Sequence, residues 1–73
     1  MTELMGILTT LRPDVDFEHE TRLIDDGILE SFDIITLVGE INDAFDISID
    51  VGDLVPENFN SVQNMWALIE SLR

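Results

Sequence analysis

Leu4, Ile7, Leu8 and Leu11 recur three and four positions apart at the start of the chain, the spacing that lines one face of a helix. Thr2 is placed to cap that helix. Glu3 falls in its first turn, where a carboxylate meets the positive end of the helix dipole. Pro13 stops the run. Residues 12 to 30 then show no period, carry many acids, and offer Leu23, Ile24, Ile28 and Leu29 as anchors. A connection of that length in so short a chain is usually functional. A second helix is expected from Ser31 to about Phe45. At 100° per residue from Ile34, the residues Leu37, Val38, Ile41, Ala44 and Phe45 fall within about 80° and form the buried stripe. Phe32 and Ile35 lie near 160° and 100°, on the outer side.

From Asp46 to Asn60 the pattern is that of a loop, with one short helical turn near Gly52 to Val55 or Glu57 to Phe59. Ser61 caps a last helix whose buried face is Val62, Met65, Trp66, Ile69 and Leu72. No internal repeat or low-complexity run interrupts this order. The expected fold is all-α: one domain over residues 1–73, a small bundle of three main helices plus one short helix. A long loop joins helices one and two.

Composition narrows the chemistry. With 73 residues and an apolar fraction of 45%, the domain must be held by its core, since the chain contains no cysteine. Disulfides, thiolate metal sites and cysteine nucleophiles are thereby excluded. The apolar runs are far shorter than a membrane span. The first residues lack the basic segment of a secretory signal, so the expected setting is the cytoplasm. Sixteen Asp and Glu against three Lys and Arg give a formal charge of −13. Such a surface repels nucleic acid and anionic lipid, so the expected partners carry basic patches and the chain itself is expected to be a monomer.

The stretch Asp25-Asp26-Gly27-Ile28-Leu29-Glu30-Ser31-Phe32-Asp33 concentrates what chemistry there is. Ser31 reads first as an N-cap, although Ile34 stands where a capping box would want Glu or Gln. As a nucleophile it lacks a base. The one histidine, His19, lies between Glu18 and Glu20, where a solvated surface role is expected, and no Gly-x-Ser-x-Gly elbow is present. The chain is not expected to be an enzyme. The remaining option is modification: a phosphodiester on a hydroxyl at a helix mouth meets unpaired N–H groups and the positive dipole end. Phe32 and Ile35 would form an apolar rim beside it. Asp25, Asp26, Glu30 and Asp33 would form a negative collar.

Asp26-Gly27-Ile28-Leu29-Glu30-Ser31-Phe32, followed by the apolar helix from Asp33 to Phe45 and then Phe45-Asp46-Ile47-Ser48-Ile49, resembles the acyl carrier protein family. The resemblance runs from about Leu23 to Leu72. It implies a small four-helix fold and a 4′-phosphopantetheine arm attached to Ser31 by a carrier-protein synthase. It also implies partner contacts through Glu30, Phe32, Asp33, Ile35, Gly39 and Asp43. Acyl or aminoacyl groups would ride as thioesters on the arm, loaded by a ligase and taken by acyl transferases. Glu30 stands where Asp is usual and Phe32 where fatty-acid carriers have Leu. Gly39 replaces a common Met, and Thr36 replaces an acid. Leu29 to Phe32 is more similar to the D-alanine carriers of lipoteichoic acid modification and to stand-alone carriers of specialised pathways, and both branches stay open.

Two rivals of other classes stand beside this reading. From Asp46, oxygen ligands fall at calcium-loop positions one, three, five and twelve, namely Asp46, Ser48, Asp50 and Glu57. Val51 occupies the position that needs Gly for the sharp turn, and Pro56 stiffens the exit. Diffuse divalent binding by the acidic surface is the expectation instead. A purely acidic interaction domain without a prosthetic group explains the charge, but not Ser31 or its apolar rim.

Overall fold

The computed structural model describes residues 2–73. Within them the chain is all-helical: α1 Thr2–Leu11, α2 Ser31–Phe45, a 3-10 turn Val51–Asp53, α3 Pro56–Phe59 and α4 Val62–Leu72. The expected bundle of three main helices is present. The short helix is α3, and the other candidate segment folds too, as the 3-10 turn on the far side of Leu54 and Val55. Pro56 explains the second start, since its fixed φ suits the first helical position.

The core draws on every part of the chain: Leu4 and Leu8 of α1, Leu37 and Ile41 of α2, Phe59 of α3, and Val62, Met65, Leu68 and Ile69 of α4. The long loop adds Phe17, Leu23 and Leu29. Three expectations need correcting. Thr2 is itself helical, the first residue of α1 and not its cap. Ala44 is exposed, since it falls at the edge of the expected stripe, about 80° from Ile34, while Leu37 and Ile41 nearer its centre are buried. On α4, Leu68 is buried where Leu72 had been expected. Leu72, in the last turn of α4, is 36% exposed. Trp66 is half-buried, edge-on to Phe45 with ring centroids 5.8 Å apart.

Ser61 caps α4 as its sequence position predicts, with its Oγ accepting the Asn64 N–H at 3.1 Å. At the other end of the bundle, α2 stops in a different way. Asp46 takes a left-handed conformation, φ 54°, and its N–H returns to the Asn42 carbonyl. Asn42 also uses its side chain, accepting the Ile49 N–H at 3.0 Å. An αL stop normally falls to Gly or Asn, and no basic residue lies in the last turn of α2 to meet the negative dipole end. Asp46→Asn keeps the αL tolerance and removes a misplaced charge. It should raise stability by about 0.3–1 kcal/mol, measured by urea melts, and a loss would mean that the Asp46 carboxylate is needed where it stands.

The long loop is not slack. Asn60, just after α3, binds it in four ways. Its carbonyl accepts the Leu23 N–H at 2.9 Å. Its Oδ1 accepts the N–H groups of Ile24 and Asp25 at 3.0 and 3.1 Å, and its Nδ2 donates to Asp25 at 3.2 Å. Gly27, at φ 70°, then turns the chain so that the Leu29 N–H reaches the Leu23 carbonyl at 2.9 Å. A side chain there would be strained. These bonds deliver Leu29 to the core and Glu30 and Ser31 to the surface.

Candidate functional site

Ser31 is the first residue of α2, exposed, and its cap role is not realised. The N-cap is Glu30, in extended conformation at φ −97° and ψ 170°. The residue three on from that cap is Asp33, and its Oδ2 accepts the Glu30 N–H at 3.2 Å. A capping box therefore exists one position ahead of where Ser31 would have placed it. The hydroxyl of Ser31 is left with no hydrogen-bond partner among the described residues. Ser31→Ala thus removes no cap, and the cost of about 1 kcal/mol that a lost cap would carry does not apply.

Asp33 is more occupied than the collar reading expected. Arg12, just past the end of α1, sends Nη1 to Asp33 Oδ2 at 3.1 Å and to the Ile28 carbonyl at 3.0 Å. Its Nε and Nη2 reach the Asp14 carboxylate, each at 3.3 Å. The Asp33 side chain is only 16% exposed. Its charge is spent on the clamp joining α1, the loop end and the α2 cap. Asp26 is paired with Arg22 at 3.1 Å, so of the collar Asp25 and Glu30 have no ion-pair partner among the described residues. Asp14 is held below the usual carboxylate range by its hydrogen bond to Arg12.

Beside Ser31 opens a mostly apolar cleft of about 350 Å³, lined among others by Ile24, Leu29, Ile34, Ile35, Leu54 and Phe59. It lies between the start of α2 and the segment carrying Leu54 and Pro56. Phe32 is 76% exposed and Ile35 70% exposed, as the helical period predicted. Gly39 and Asp43 continue the same outer side and are exposed too. The structure therefore brings together a free hydroxyl, an apolar cleft and two large apolar side chains in solvent. Periodicity found the side chains. It did not find the cleft, because Leu54 and Phe59 come from the aperiodic segment.

His19 stays at the surface, its Nδ1 2.9 Å from Asp16 Oδ2. That hydrogen bond, with the nearby Glu18 charge, holds the imidazole above its usual range. The calcium-loop spacing is not assembled. Asp46 ends α2, Asp50 precedes the 3-10 turn with its N–H on Asp53 Oδ2 at 3.3 Å, and Glu57 lies in α3. Among the described residues the group whose ligand atoms converge is Asp16, Glu18 and His19, all exposed, and it includes none of the four calcium-loop residues. The screening length of about 10 Å at 0.1 M salt is comparable with half the 20–27 Å extents of the domain, so added salt should relieve the self-repulsion of −13 charges. Thermal melts should rise similarly in magnesium and calcium, and the rise should survive Asp46→Asn and Glu57→Gln. A calcium-only rise that these substitutions remove would restore the calcium loop.

No helix of the described residues is long and apolar enough to cross a membrane. Compared with protein-family models, with curated proteins and with solved structures, the chain gives no match.

Proposed function

We propose that this chain is a non-enzymatic carrier that holds acyl or aminoacyl groups as thioesters on a 4′-phosphopantetheine arm attached to Ser31. The observation that carries the reading is the Ser31 hydroxyl, exposed at the first turn of a 15-residue helix and free of any hydrogen bond among the described residues. A cap serine would have its oxygen engaged, as Ser61 does. A phosphodiester on Ser31 would face the unpaired N–H groups of the first turn of α2. The arm would supply the thiol that a chain without cysteine lacks. Tethering then works through effective concentration, offering one cargo to several enzymes in turn.

The partners of such a carrier are its synthase, a loading ligase and acyl transferases with basic surfaces, meeting Glu30, Phe32, Ile35, Gly39 and Asp43. It works in the cytoplasm, as a monomer that its own charge keeps from self-association. The run Leu29 to Phe32 resembles D-alanyl carriers and stand-alone carriers of specialised pathways more than fatty-acid carriers, and both branches stay open.

Intact mass tests the proposal. After co-expression with a carrier-protein synthase the wild-type chain should gain one phosphopantetheine, and Ser31→Ala should gain none while keeping its thermal melt. A wild-type chain that stays at sequence mass, with the synthase shown to load another carrier, favours the acidic interaction domain. Loading that persists in Ser31→Ala moves the site elsewhere.

A further inference from the structure

A second groove lies between α1 and α2, on the flank of α2 away from the Ser31 cleft. Glu3, Gly6, Ile7, Thr10 and Leu11 line it from α1, and Thr36 and Glu40 from α2. Its residues are small at the rim: a Cβ built on Gly6 meets nothing within 4 Å. Ile7 and Leu11 are half-buried and form an apolar floor. Because Arg12 at the end of α1 bonds Asp33 near the start of α2, the two helices run antiparallel. Glu3 and Glu40 therefore fall at the same end of the groove.

Two carboxylates at one end of an apolar groove call for a cation, and none of the basic side chains among the described residues is free to supply it. Arg12 is committed to Asp14, Asp33 and the Ile28 carbonyl. Arg22 pairs with Asp26 at 3.1 Å, and Arg73 stacks over Phe45 and Trp66 at 5.7 and 5.8 Å. Those are all three basic residues other than His19, whose partner is Asp16. Glu3 and Glu40 have no ion-pair partner among the described residues. A second copy of this chain would bring another −13 charges and is opposed by repulsion.

The geometry points to a docking groove for an amphipathic helix of a partner protein. Apolar side chains of that helix would lie over Ile7 and Leu11, and a Lys or Arg about one turn away would meet Glu3 and Glu40. Helix-in-groove recognition uses such anchors at helical spacing, and the open rim at Gly6 and Thr10 lets a helix backbone approach closely. The inference does not rest on the carrier reading.

The probe is a synthetic helix about four turns long, held helical by a side-chain cross-link, with leucines on one face and two lysines at one end of that face. Binding is read by fluorescence titration of the labelled peptide. Gly6→Trp fills the groove at a position with open space, and replacing a mid-helix glycine keeps the fold. It should raise the dissociation constant about tenfold or more while the melt holds. Glu3→Gln with Glu40→Gln should weaken binding about threefold to tenfold and flatten its salt dependence. A scrambled peptide of equal charge should bind about tenfold more weakly. Equal binding by the scrambled peptide, displacement by spermidine at equal charge, or unchanged affinity in Gly6→Trp would each overturn the groove in favour of a merely acidic surface. A dimer of the free chain that Gly6→Trp dissociates would overturn it in favour of self-association.

Discussion

Phe59→Ala should cost about 3–5 kcal/mol of folding stability, the range for truncating a buried aromatic. A domain of this size has only about 4–11 kcal/mol in total, at roughly 0.05–0.15 kcal/mol per residue, so this one substitution removes a large share. Phe59 is 2% exposed and ends α3. It also precedes Asn60, whose carbonyl and side chain hold Leu23, Ile24 and Asp25. Loss of the ring loosens the residue that pins the long loop, and it enlarges the cleft beside Ser31, which Phe59 lines. Urea melts measure the stability, and hydrogen exchange at the Leu23 and Ile24 amides shows whether the loop opens with it. A loss under about 1 kcal/mol, in the range of a surface change, would show that the ring is not part of the core.

The second large effect separates docking from folding on one helix. Leu37→Asp should unfold the domain, because Leu37 is fully buried and an unpaired carboxylate there costs several kcal/mol. Ile35→Asp should leave the melt nearly unchanged, since Ile35 is 70% exposed. On the carrier reading, however, Ile35 is an apolar anchor for the synthase. Removing an anchor of that kind costs ~2 kcal/mol, roughly thirtyfold in affinity, read as a slower rate of Ser31 loading at limiting synthase. Ser31 itself and the cap at Glu30 remain in place in this variant. Normal loading of Ile35→Asp would remove Ile35 from the docking face without touching the Ser31 assignment. Unfolding of Ile35→Asp would contradict the exposure itself.

These two substitutions also mark how much could be read from the chain before its structure. The extent of α2, Ser31 to Phe45, followed from a serine at its mouth and the period of apolar residues behind it, and the period also gave the outward placement of Phe32 and Ile35. The cap of α4 at Ser61 followed from residue type and position. Local rules of this sort succeed where a helix is long enough for its period to show and its ends are chosen by adjacent residues. Ser31 itself was visible as a serine at a helix mouth, but whether its hydroxyl was spent on the cap was not.

That question was decided by a residue far along the chain. Asp33 could have been a free surface acid. It instead closes the box with Glu30 and binds Arg12, 21 positions away, and this leaves Ser31 outside the cap. Phe17, Phe59 and Asn60 were equally silent in the sequence, because each lies in an aperiodic segment and acquires its role from partners brought together by folding. The cleft beside Ser31 and the groove between α1 and α2 arise in the same way, from side chains on separate elements. Periodicity reports which side of a helix is apolar; only the packing of one element on another determines which polar groups are used up and which remain free.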